Sequence, residues 1–153
     1  VTSAEPSPGS ASAYDTTLSA ALRTEYAVIY GYGIVSAHCA PAVNDLVSTA
    51  LSQHRERRDQ VIRMLAARSI SAPVAAAGYQ LPMAVNTPVE AARLAAQMEN
   101  DTAVAWRAVL EQAQDQQDRG FAVTALRQSA VLGARWNRVA GAGPVTTAFP
   151  GAD

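Results

Sequence analysis

Cysteine is nearly absent from this chain, lysine is wholly absent, and aromatic residues make up only 6% of it. With Cys39 as the single cysteine there is no internal disulfide framework, so nothing in the chain demands an oxidising compartment. Without lysine there is no Schiff-base chemistry and no P-loop lysine; all 12 basic residues are arginine. Long apolar runs are missing too: none approaches the ~20 residues that cross a bilayer. The opening Val1 to Ser12 lacks the basic-then-apolar order of a secretion signal, which predicts a cytoplasmic protein without membrane contact. Charge of either sign is scarce. A net charge of −1 with 16% charged residues fits neither wholesale disorder nor a surface built to coat nucleic acid. Gly31 and Gly33 lie among tyrosines in a helical pattern, outside the strand-turn-helix context that a dinucleotide site needs.

What is present favours helix. The 153 residues are 49% hydrophobic, enough for one domain with a sizeable core, and alanine, the best helix former, is the commonest residue. Residues 1–12, rich in Ser, Pro, Ala and Gly, predict a disordered tail, and 141–153 a flexible one. Between them the periodicity predicts an all-α chain of four helices, about 15–39, 42–69, 87–116 and 120–140. Asp15 or Thr16 is positioned to cap the first. Thr87-Pro88-Val89-Glu90 combines a capping hydroxyl, a proline at the first helical position and a glutamate at the third, the clearest boundary in the chain.

Connection lengths separate topologies. The first and last connections are short, predicting two antiparallel hairpins. The middle one, 70–86, holds Pro73, Gly78 and Pro82 and at ~3.3 Å per residue can reach ~55 Å. That suits a crossover running the length of a four-helix bundle, as in ferritin-like folds.

Seam spacing by threes and fours selects Leu18, Leu22, Glu25, Ile29, Tyr32, Ser36 and Cys39 on the first helix, and Val47, Ala50, His54, Arg57, Val61 and Met64 on the second. The third gives Ala92, Ala95, Glu99, Thr102, Trp106 and Val109; the fourth gives Ala125, Ser129, Leu132, Trp136 and Val139. Three seams therefore carry an ionisable group near mid-helix, and buried charges must face one another, water or a metal. Glu25 with Tyr32 seven residues later looks like the first helix of ferritins, and Met98-Glu99-Asn100 like their third. His54-Arg55-Glu56-Arg57-Arg58-Asp59 lies where the second helix would carry a Glu-x-x-His. From Ala13 to Ala140 the chain is similar to an actinobacterial ferritin-like family of unassigned function. That resemblance implies inward carboxylates and histidines able to hold two metal ions.

The departures from that pattern carry weight. No Glu-x-x-His occurs on the second or fourth helix, and Phe121 to Ala140 contains no acidic residue. Arginine cannot ligate a metal. The expected interior is therefore a buried polar network of Glu25, Arg57, Arg58, Glu99, Arg127 and Tyr32 in a degenerate metal site, with no cofactor. The chain then acts as a surface scaffold and homodimer, with Tyr14, Tyr26, Tyr79 and Phe121 available for an interface. Two alternatives stand beside this reading. One is a metal-binding oxidoreductase or metal-handling protein with an incomplete iron or manganese site from Glu25, His54 or Glu56, and Glu99. The other is a core lined by Tyr32, Trp106 and small alanines that encloses an apolar ligand. Trp106 and Trp136 read as core fillers, and Tyr26, Tyr30 and Tyr32 as core or interface aromatics before a radical relay. His38 is placed to meet the C-terminal dipole of its helix. The arginines from Arg55 to Arg68 are interrupted by acids and fall on different faces, which argues against nucleic acid. Cys39 has only the adjacent His38 to activate it, about 100° around the helix.

Overall fold

A computed structural model describes residues 11–152. Among these there is no strand. The elements are α1 (Ala13–His38), a short 3-10 turn (Pro41–Val43), α2 (Asn44–Ala67), α3 (Pro88–Gln112) and α4 (Gln116–Ala140). Together they form a four-helix bundle in which α1 packs on α2 and α3, and α3 on α4. No helix among the described residues is long and apolar enough to cross a membrane.

Helix ends follow local chemistry. The first cap is Ser12 rather than Asp15 or Thr16: its hydroxyl accepts from the Asp15 amide while the Asp15 carboxylate accepts from the Ser12 amide, a closed capping box. Ser12 is thereby held to α1, and residues 1–10 of the predicted N-terminal tail lie outside the described residues. Thr87 and Glu90 form the second capping box. The α3–α4 turn falls at 113–115, earlier than the expected 117–119, because the Asp115 side chain caps the Asp118 amide and leaves Gly120 inside α4. Gly141 ends α4 in the left-handed region at φ 68°, which a residue without Cβ adopts freely.

The segment expected to be a flexible tail lies against α3 and α4. Asn137 Nδ2 donates to the Val145 carbonyl at 3.2 Å, and a Cβ at Gly151 would sit 2.6 Å from the Ala103 carbonyl oxygen. Only glycine fits there.

The core divides in two. One cluster holds Val28, Tyr32, Val35, Leu46, Val47, Ala50, Leu94, Met98, Leu132 and Trp136; the other holds Leu18, Leu22, Val61, Leu65, Trp106, Val109, Ala122 and Ala125. Between the two in sequence on every helix comes a buried polar residue: Glu25, His54 and Arg57, Glu99 and Thr102, and Ser129. The polar layer is the middle of the bundle. Every predicted α3 seam residue is buried. On α1, Val28 and Val35 face inward, whereas Ile29 is half-buried and Ser36 exposed, and Cys39, half-buried, caps the helix end; on α2, Leu65 replaces Met64; on α4, Val139 is exposed.

Candidate functional site

The middle layer brings Glu25, His54, Arg57 and Glu99 together. Each is at most 4% exposed. His54 lies between the carboxylates, with Nδ1 2.6 Å from Glu25 Oε2 and Nε2 2.9 Å from Glu99 Oε1. An ionised carboxylate only accepts, so a histidine bonded to two of them carries a proton on each nitrogen. Burial alone would lower the His54 pKa, but its hydrogen bonds to Glu25 and Glu99 and their charges raise it to about 9.

Arg57, one turn beyond His54, closes the other side of Glu25. Its Nη1 donates to Glu25 Oε1 at 3.0 Å and to Ser129 Oγ at 3.1 Å, and Nη2 donates to Gln128 Oε1 at 3.4 Å. Trp106 Nε1 donates to the same Glu25 oxygen at 2.7 Å. Burial pushes the Glu25 pKa up, yet the His54 bond, the two cationic charges and the Trp106 bond hold it below the ordinary value. On the opposite side Tyr32 OH donates to Glu99 Oε1 at 2.5 Å and accepts from Trp136 Nε1 at 2.8 Å. Burial first, then the Glu99 charge, raises the Tyr32 pKa well above its usual value, so the phenol stays protonated. Two carboxylates against an imidazolium and a guanidinium leave this layer with no net charge. Two of its buried polar atoms have no partner among the described residues, Arg57 Nε and Glu99 Oε2.

The remaining predicted site residues lie elsewhere. Glu56 is exposed, two residues past His54 and so ~200° around α2. Arg58 pairs at 2.8 Å with Asp59 on the surface. Arg127 is exposed on α4; the next two residues, Gln128 and Ser129, meet Arg57 instead. What occupies the space between the glutamates is His54, not an arginine. Among the described residues no group of three or more His, Cys, Asp and Glu is arranged to hold a metal ion.

Trp106 and Trp136, expected as fillers, also donate to the network. Their positions gave a signal: each stands seven residues after a polar member of its own seam, Glu99 and Ser129. Tyr32 and Trp106, expected to line a space for an apolar ligand, are fully buried and tied into this network by their polar ends. The aromatics expected at an interface are used within the chain. Tyr14 is buried, with the Arg68 guanidinium 4.7 Å from its ring centroid; Tyr26 OH donates to the Pro73 carbonyl at 3.1 Å; Tyr79 packs on Tyr30; and Phe121 packs edge-on to Trp106. His38 shares a 3.0 Å hydrogen bond with the Ile34 carbonyl at the end of α1.

A family model described as Domain of unknown function (DUF4439) matches residues 17–153. Among solved structures, the chain is similar to the crystal structure of a conserved hypothetical protein, rv2844, from Mycobacterium tuberculosis. The two are 62% identical with a TM-score of 0.83, over 90% of this chain and 97% of that one. No curated protein matches.

Proposed function

The chain belongs to this DUF4439 family of unknown function, and on that premise we propose that it is a ferritin-like bundle in which a fixed ion network stands where a metal pair would sit. In this reading it works as a scaffold through its surface and is not an enzyme. One observation carries it: His54 bonds both carboxylates through its two ring nitrogens. An iron or manganese pair does not fit these residues. Both Glu25 oxygens and one Glu99 oxygen already accept from protein donors, and both His54 nitrogens are spent. The Arg57 cation lies against the Glu25 carboxylate.

The ferritin-like arrangement is supported by the order in which the helices visit the two core clusters. Along α1 and α4 the Leu18 cluster precedes the Val28 cluster; along α2 and α3 the order reverses. Parallel α2 and α3 require a crossover. The 68–87 connection supplies contacts along such a path, with Pro73 against Tyr26 and Tyr79 against Tyr30 one turn further along α1. Self-association belongs to the same reading and is supported by exposed Val123, Val131 and Val139 on α4; sedimentation as a strict monomer at micromolar concentration removes that part.

Metal analysis of protein purified without chelator tests the central reading. Less than one-tenth equivalent of iron or manganese per chain, and a melting temperature unmoved by EDTA, is the expected result. A stoichiometric metal whose removal lowers the melting temperature contradicts it.

A further inference from the structure

Two hollows adjoin on the surface side of α3 and α4. The first, of about 400 Å³, lies between the two helices and the C-terminal segment. That volume falls in the range of small-molecule sites. Its walls are apolar, built from Ala96 and Ala103 on α3, Leu126 and Ala130 on α4, and Val145 and Pro150 of the segment that crosses it. The second, of about 330 Å³, continues it toward the start of α3 and the end of α4, since Ala96, Asn100 and Asn137 line both. Arg93 and Gln97 make this second hollow polar. From Arg93 to Ala103 the α3 wall rises about 15 Å.

The exposed charges along this path have one sign. Arg93 and Arg127 are both exposed, and neither enters an ion pair among the described residues. Glu99, the one acid of either lining, is fully buried and bonded inward to Tyr32 and His54. In the polar hollow Gln97 Nε2 already donates to Asp101 Oδ1 at 3.0 Å, and Asn137 Nδ2 to the Val145 carbonyl at 3.2 Å. The Arg93 guanidinium and the Asn100 amide are its remaining donors. Arg127 belongs to the apolar hollow, one or four positions along α4 from Leu126, Val123 and Val131. An apolar chamber that leads to a polar one holding an unneutralised cation matches a molecule with an apolar tail and an anionic head. The tail leaves water, while the head stays partly hydrated and meets a guanidinium. A cationic head would meet only like charge.

We propose that the joined hollows bind a medium-chain carboxylate, its tail between α3, α4 and the 145–151 segment and its head at Arg93 and Asn100. This site goes beyond the scaffold reading and stands apart from it, since no member of the ion network contacts the head.

The test is isothermal titration calorimetry of the full chain with decanoate, decanol and decyltrimethylammonium, which share one tail and differ in the charge of the head. Decanoate should bind at least about threefold tighter than decanol, the increment of an exposed ion pair, and the cation most weakly. Arg93→Gln should weaken decanoate by about threefold and leave decanol unchanged, whereas Arg127→Gln should change neither. Gly151→Val tests the tail: its side chain collides with the Ala103 carbonyl, lifts the outer wall and should weaken decanoate and decanol alike by at least about threefold. Decanol or the cation binding as tightly as decanoate overturns the proposal. So does decanoate binding that Arg93→Gln or Gly151→Val leaves unchanged, or that Arg127→Gln weakens as much as Arg93→Gln. Binding of none of the three, the result for hollows that hold only water, overturns it as well.

Discussion

The two glutamates of the middle layer share a histidine but differ in everything else they touch. Glu25 accepts from Arg57, Trp106 and His54, which together occupy both of its oxygens. Glu99 concentrates its donors, Tyr32 and His54, on one oxygen and keeps the other bare. The Glu25 side is therefore saturated and rigid, built from charge-assisted bonds that leave no position for a ligand. The Glu99 side leaves one buried oxygen without a donor among the described residues. One layer thus holds a structural half and a half with an acceptor to spare, and the two should respond differently to substitution.

Removing either carboxylate breaks that contrast most severely. Glu25→Ala removes the counter-charge of the buried Arg57 guanidinium and leaves one His54 nitrogen and the Trp106 N–H without their acceptor, and should cost about 3–5 kcal/mol in urea unfolding. Glu99→Ala removes an acceptor from two donors and should cost less, about 2–3 kcal/mol. Equal losses would erase the distinction between the halves. EDTA should change neither value.

The shared histidine gives the next largest effect, and it depends on pH. His54 is raised from its ordinary 6.5 to about 9 on folding, so the native state holds the proton more tightly than the unfolded chain. Its contribution is fully present below pH 6.5 and is lost as pH rises through about 9, a fall on the order of 3 kcal/mol across that window. Glu25 acts at the other end: its pKa is lowered from 4.5, so its contribution is present above that value and is lost as pH falls through the folded one. Urea melts of the wild type between pH 6 and 9.5 should show the alkaline decline, and His54→Gln should flatten it.

The indoles sharpen the comparison at smaller scale. Trp106 donates to a carboxylate and Trp136 to a phenol. Hydrogen bonds to charged groups are the stronger kind, so beyond the shared loss of ring volume Trp106→Phe should lose about 2 kcal/mol and Trp136→Phe about 1 kcal/mol. Outside the layer the effects should vanish: Glu56→Ala and Arg127→Ala should each shift stability by no more than about 0.5 kcal/mol.

These contrasts show which features the sequence could disclose. Helix number, the Thr87 cap and the α3 seam follow from spacing and local hydrogen bonding, which act within a few residues. Glu25, His54 and Glu99 were identifiable because apolar neighbours three and four positions away force them inward. Ile29 and Ser36 were misplaced because a straight helix of 3.6 residues per turn drifts from a strict seam, turning Val28 and Val35 to the core. Ser12 and Asp15 can each cap a helix, and only the closed box shows which one does. The choice of bridging cation was hidden for a different reason. His54, Arg57, Arg58 and Arg127 all offer cationic donors, and which one lies between two carboxylates depends on the rotation of α2 and α4 against α1 and α3. The bare oxygen of Glu99 and the cavity between α3 and α4 arise from the same packing and leave no mark in the order of residues.

Nitrogen-15 NMR of the His54 ring at pH 7.5 tests the bridging cation most directly. The account predicts that both ring nitrogens carry a proton and give the shifts of an imidazolium, one and a half units below the pKa of about 9. A neutral ring with one bare nitrogen, or a nitrogen shifted by bonding to a metal, would contradict it.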